Sequence, residues 1–329
     1  MKQNLGIEFT LWHKLSATLD LFDEQRKDIL MTPQTTSSIA GASFNAMNLG
    51  RTKNHGIELE LEWADRIGQH FNYFTRFSWA TSENRVVYRD DPRNTKNHLK
   101  QEGKPIGHQL RYIVVGNYET VDDIMNYAQS GSINSVTPGA VVPGDFVYID
   151  FDANGVLDGQ DQVAVRELNY PLHTYGLTFG FDWKGLSFST MLYAPTGVYK
   201  LLNSAFYASF VDSKVNGQPG LLNSWTPATA NTSGIMAPSL HLDNKAKFNG
   251  TENTWRYGNY SYLRLKNVEI SYKFNKNVCK ALKMSSFQVF ANGNNLMTFW
   301  KGDHRVDPEG SQTSYPMLKS VTTGVRVSF

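Results

Sequence analysis

The sequence contains a single cysteine, Cys279, in 329 residues. That count excludes a disulfide framework and any multi-cysteine metal site. Long apolar runs are missing too: none exceeds four residues, whereas a membrane-crossing helix needs about 20. No charge sign dominates. Lys and Arg total 32 against 30 Asp and Glu, a net charge of +2, so the basic excess of a nucleic-acid binder is lacking. Charged residues amount to 19 %, below the roughly 25 % of a soluble domain. Catalytic signatures are also wanting. The eight histidines are scattered, and no H-E-x-x-H, G-x-S-x-G, G-x-G-x-x-G or phosphate loop occurs. The pairs Asp90-Asp91 and Asp122-Asp123 read as solvated loop surface, Cys279 as a passive small residue, and no enzyme is expected.

What is present is aromatic and alternating. With 19 Phe, 16 Tyr and 7 Trp, the chain has too many apolar rings to stay disordered. Ile57, Leu59, Leu61 and Trp63 alternate with Glu58, Glu60 and Glu62, giving one apolar and one acidic strand face. Tyr175–Trp183 and Val321–Phe329 repeat the pattern, as do Leu5–Leu11, Leu15–Leu21, Phe71–Trp79, Leu186–Leu192, Val268–Phe274 and Phe287–Ala291. Nine strands result, several of them as long as the roughly 9–11 residues a tilted membrane strand requires. Pro105–Glu119 alternates poorly and is assigned to a loop excursion.

The connections alternate in length. His13-Lys14, Ala64–His70, Lys184-Gly185 and Asn275–Ser285 are short; Lys27–Gly50, Asn84–Asn169, Pro195–Asn259 and Thr298–Met317 are long. Outer-membrane barrels sort their connections this way, into short periplasmic turns and long extracellular loops. Trp12, Trp63 and Trp183 sit beside short turns, where an interfacial aromatic girdle would lie. The fold class read here is all-β: a transmembrane antiparallel β-barrel portion. A soluble or surface-attached β-rich glycan-binding module remains the alternative. Met1–Thr10 is already strand-like and carries no secretory signal pattern. An odd strand count with the last strand running inward leads us to expect at least one further strand upstream.

Two loop features bear on function. Asp150, Asp152, Asn154, Val156, Asp158 and Asp161 fall at positions one, three, five, seven, nine and twelve of a calcium-loop frame, with Gly155 at position six. Alternate oxygens of a tight loop converge on one point, which suits hard Ca²⁺. Asp stands where Glu is usual at position twelve, so a weak structural clip of about 10⁻⁴–10⁻³ M is expected; the alternative is an Asp/Asn/Gly turn that binds nothing. The second feature is a run of aromatics in or beside Pro195–Asn259. Phe206, Tyr207, Trp225, Trp255 and Tyr257 would stack on sugars or peptides, or else pack the loop onto itself.

Six segments carry a family resemblance: Asn48–Trp63 (NLGRTKNHGIELELEW), Glu102–Gly107 (EGKPIG), Pro143–Asp161 (PGDFVYIDFDANGVLDGQD), Ser224–Pro227 (SWTP), Ser261–Val268 (SYLRLKNV) and Phe287–Thr298 (FQVFANGNNLMT). Asp307-Pro308-Glu309, Tyr315-Pro316 and the terminal Phe329 fit as well. In this order they resemble the carboxy-terminal part of SusC/RagA-type TonB-dependent outer-membrane transporters. The resemblance implies a plugged 22-stranded barrel containing these nine strands, a SusD-like lipoprotein lid, energy from the TonB complex, and import of oligosaccharides or peptides. Its partners would be the remaining barrel strands, the plug and outer-membrane lipid. The plug and TonB-contacting segment, upstream in such proteins, are not in this sequence. Glu58, Glu60, Glu62 and Arg326 are expected to face the lumen.

Overall fold

The structure, a computed structural model, describes residues 1–35, 44–127, 129–130, 141–165, 168–202, 219–230, 237–240, 249, 251–301, 307–310 and 315–329. Among these, nine long strands form one sheet. They are β1 (Lys2–Leu11), β2 (Leu15–Met31), β3 (Met47–Ile67), β4 (Phe71–Tyr88), β5 (His173–Trp183), β6 (Leu186–Thr196), β7 (Tyr262–Lys273), β8 (Ser286–Lys301) and β9 (Ser320–Ser328). Their order in the sheet is their order in the chain, and neighbours pair antiparallel throughout. All nine alternating segments lie in this wall. Pro105–Glu119 supplies only Gln109–Arg111 and Val114–Asn117, which pair outside it.

The short turns follow from their residues. Lys184 and Gly185 both take positive φ (48° and 93°), the twist-matched two-residue hairpin that glycine accommodates without strain. Trp12 and His13 also turn through positive φ between Leu11 and Leu15. The turn after β7 holds a short helix, Lys276–Ala281, whose Asn275 side chain caps it by accepting from the Val278 N–H. Cys279 is buried there.

Several strands run further than their alternation. β2 continues to Met31, β3 begins at Met47 and β8 reaches Lys301, so the connections expected at Lys27–Gly50 and Thr298–Met317 are shorter than read. In β8 a bulge between Asn294 and Met297, with Asn295 at positive φ, shifts the alternation. In β2 past Phe22 and in β3 before Gly56 both sheet faces are polar instead, and the period-two signal fades although the ladder continues. Glu24, Gln25 and Arg26 pair with Asn54, Lys53 and Thr52 in full register, with Lys53 Nζ 3.4 Å from Asp23 Oδ1.

The register sorts side chains cleanly. Phe9, Ala17, Leu61, Phe77, Leu177, Leu192, Leu265 and Met297 form one apolar row across eight strands. Thr10, Ser16, Glu62, Arg76, Thr178, Met191, Asn267, Asn294 and Ser320 form the neighbouring row on the opposite face, polar except for Met191. Among the described residues the apolar face has no protein cover: Leu5, Phe179 and Val325 are 59 %, 40 % and 62 % exposed. Most buried apolar residues lie in the loops instead. Tyr112, Tyr118, Phe146, Tyr148 and Leu157 form a cluster, packed by Val114, Ile124, Tyr127 and Trp255. The wall is a sheet without a core, and the core belongs to the loops above it.

Candidate functional site: the polar wall face and its loop body

Glu58, Glu60, Glu62 and Arg326 all lie on the polar face by register. Glu62 accepts from Arg76 at 2.8 Å, and the Arg326 guanidinium lies over the Phe290 ring at 5.0 Å. Three aromatics on this face do not project outward from the wall. Phe22, Phe74 and Phe290 cover the cross-strand glycines Gly56, Gly180 and Gly324, where a Cβ atom would come within 2.5, 2.7 and 2.6 Å of the ring. Glycine allows each ring to lie flat along the sheet, which keeps the polar face shallow.

The excursions between β4 and β5 and between β6 and β7 join in one loop body. Arg111, 1 % exposed, pairs with Glu252 and donates to the Tyr257 hydroxyl; its guanidinium stacks on the Tyr257 ring at 4.3 Å. Asp145 is fully buried. It accepts from Ser239 Oγ at 2.8 Å, Asn249 Nδ2 at 2.7 Å and the Val142 N–H at 2.9 Å. Charged hydrogen bonds of this kind offset the desolvation of a buried carboxylate.

The expected stacking aromatics distribute unevenly. Trp225 is 6 % exposed, donates to Glu119 Oε2 at 3.1 Å and lies on Gly144. Trp255 packs on Phe146 with ring centroids 5.1 Å apart. These two and Tyr257 thus build the loop body, the self-packing alternative left open by the sequence. Phe206 and Tyr207 lie outside the described residues.

In the acidic loop, carboxylate oxygens of Asp150, Asp152 and Asp161 come within 4.8 Å of one another. Asp150 accepts from the N–H groups of Asn154 (3.2 Å) and Gly155 (2.7 Å). Asp161, 1 % exposed, accepts from those of Phe151 and Asp158. Burial pushes the Asp161 carboxyl up against the pull of these N–H groups. Asp152 binds the Lys96 ammonium, which holds its carboxyl below the usual range. Asp158 instead caps the turn Gly159–Asp161, accepting from the Gln160 N–H. Asn154 Oδ1 accepts from the Val156 N–H at 2.7 Å. The three converged carboxylates are hard oxygen donors that fit Ca²⁺, and Lys96 is a resident cation that Ca²⁺ would displace from Asp152.

A further cluster escaped sequence reasoning. Asp307–Gly310 lies against the polar face as a strap. Arg264 of β7, 2 % exposed, donates to Asp307 Oδ2 at 2.8 Å and lies 3.4 Å from Glu309 Oε1. Tyr262 donates to Glu309 at 2.6 Å and Lys266 at 2.7 Å. Lys200 donates to the carbonyls of Pro308 and Gly310 at 2.7 and 2.9 Å. The only sequence signal was the motif pair SYLRLKNV and Asp307-Pro308-Glu309.

An uncovered apolar face, a polar opposite face and an up-and-down order define the wall of an outer-membrane β-barrel. The soluble glycan-binding module is set aside by that architecture. Across residues 2–296 the chain matches, and belongs to, the family described as TonB dependent receptor-like, beta-barrel. It is 21 % identical over 360 residues to "TonB-dependent receptor P3" of Formosa agariphila, aligning 99 % of this chain with 34 % of that protein. Among solved structures it is similar to the RagAB peptide transporter, with a TM-score of 0.70 at 19 % identity over all of this chain and 35 % of the other. The RagAB peptide importer in its open-open state gives a TM-score of 0.71 at 19 % identity, over 34 % of that chain. The likeness to these structures is one of fold, and the chain spans about a third of the length of the relatives it matches.

Proposed function

We propose that the chain forms part of the wall and extracellular loops of an outer-membrane importer of oligosaccharides or peptides. The observation that carries this reading is the loop body: it has its own buried core, is tied to Asn84 of β4 through Tyr170 and the Ile106 N–H, and belongs to a TonB-dependent receptor barrel. A soluble-protein sheet has no use for a folded body over one end and a bare apolar face. A SusD-like lipoprotein lid and the TonB complex, acting through a plug, are the partners this role requires. Glu58, Glu60, Glu62 and Arg326 line the passage or touch the plug. In this reading Ca²⁺ is held by Asp150, Asp152 and Asp161, with Asn154, Val156 and Asp158 shaping the loop, and its work is structural.

The test is uptake. Cells with and without the gene are given fluorescent oligosaccharides and peptides too large for general porins, with and without an uncoupler of the proton gradient. Loss of uptake of one class in the deletion strain, and in energy-depleted cells, is the expected result. Equal uptake of both classes in both strains refutes it.

A further inference from the structure

A cavity of about 680 Å³ lies between the strap and the polar face of β6–β8. Tyr193, Asn267 and Asn294 line it from the wall, and Lys200 and Lys266 contribute cations. The register explains how Lys266 gets there. A bulge between Leu265 and Asn267 leaves Lys266 as an extra residue in β7, and bulges re-aim side chains. Lys266 Nζ consequently reaches Glu309 and lies 5.8 Å over the Tyr193 ring.

The charges around this cavity do not balance. Lys200, Arg264 and Lys266 stand against Asp307 and Glu309. Both oxygens of Glu309 are engaged, by Tyr262 and Lys266. Both oxygens of Asp307 are engaged, by Arg264 and the Glu309 N–H. Lys200 donates to two neutral carbonyls, and among the described residues no carboxylate lies within ion-pair distance of it. An ammonium has three donors; beyond the two carbonyls Lys200 meets, among the described residues, only the face of the Tyr260 ring, 5.4 Å from its Nζ, which carries no formal charge. Burial works against this charge and lowers the Lys200 pKa, outweighing the pull of Asp307 and Glu309 in the other direction, so a further anion beside the ammonium is favoured.

We propose that the cavity is a subsite for a carboxylate-bearing part of the cargo, with the carboxylate on Lys200 and the adjoining apolar body on the face of Tyr193. The proposal rests on the import reading above. An acidic peptide side chain and a uronic acid share the required chemistry.

Detergent-solubilised complete receptor is titrated calorimetrically with two matched pairs. One is acetyl-Ala-Ala-Glu-Ala-Ala-amide and its Gln counterpart; the other is tetragalacturonate and its methyl ester. Wild type is expected to bind one charged probe roughly tenfold more tightly than its neutral partner, the yield of one charge-assisted hydrogen bond. That pair then identifies the source of the carboxylate. Lys200→Gln should abolish the preference and Lys200→Arg should keep it, which separates charge from support of the strap. No preference in wild type, a preference that survives Lys200→Gln, or no binding of any probe overturns the subsite. Uptake measured in parallel separates the two ideas: uptake without charge preference removes the subsite and leaves the importer standing, whereas absence of uptake removes both.

Discussion

Replacing Arg264 by Met tests whether the strap is held electrostatically. Arg264 is buried, and breaking a buried ion pair by removing one partner typically costs 3–5 kcal/mol. The structure argues for less. Glu309 would keep Lys266 and Tyr262, and Lys200 would still hold two carbonyls. Glu309 loses Arg264 at 3.4 Å but keeps Lys266; Asp307 alone is left without an ion-pair partner, and its side chain is 19 % exposed. A local loss of about 2–3 kcal/mol follows, enough to raise the open population of the strap roughly 30- to 150-fold. Hydrogen exchange reads this directly. The Glu309 N–H, which donates to Asp307 Oδ1 at 3.0 Å, should exchange faster by that factor in the variant, with β5 and β6 amides unchanged. Arg264→Lys, which keeps charge but loses the planar fork, should fall between. Wild-type exchange at Glu309 in Arg264→Met would refute the reasoning, because it would mean that packing alone holds the strap.

Leu59→Arg should cost about 2–4 kcal/mol in refolding into lipid vesicles, the depth-dependent cost of a cation on the lipid face, while Glu60→Arg one residue on should refold nearly normally; equal costs would overturn the assignment of faces. Chelation with EDTA should expose residues 143–165 to protease, and Asp161→Asn should do so without chelator; identical digests in all conditions would remove calcium from the loop. The strap should loosen in acid. Burial raises the Asp307 carboxyl, but the Glu309 N–H and the Arg264 guanidinium outweigh it and hold the net value below normal. Its contribution is therefore full above the unfolded carboxylate value near 4 and fades as pH falls through the lower folded value. Strap exchange, corrected for intrinsic rate, that shows no rise on acidification contradicts this.

The wall was readable from the sequence because its code is local. Leu59 and Glu60 alternate on one strand, and Lys184-Gly185 can make only a tight hairpin, so strand number, order and facing all followed. What failed to show is what depends on distant partners. β2 beyond Phe22 has no alternation to detect, since Asp23, Glu24, Gln25 and Arg26 put polar side chains on both faces, yet its pairing with β3 runs in register to Arg26 and resumes past a bulge to Met31. Trp225 and Trp255 look like platforms in a polar loop until Gly144 and Phe146, far upstream, are brought against them. The acidic loop was half visible: its spacing located Asp150, Asp152 and Asp161, but Lys96, 54 residues before Asp150, left no trace. The strap was the least visible, because Arg264 and Asp307 acquire meaning only once β7 and the following excursion fold over the same patch.

The separation between a coreless sheet and a loop body with its own buried rings divides the chain between two solvents. The sheet answers to hydrocarbon: its stability moves with acyl-chain length and detergent, and is nearly blind to the volume of any one side chain. The body above answers to water: truncating Tyr148 or Leu157 there opens a void, at a cost of several kcal/mol, whatever amphiphile surrounds the barrel. Heating should accordingly give two melting events, of which only the one belonging to the sheet shifts when one surfactant is exchanged for another.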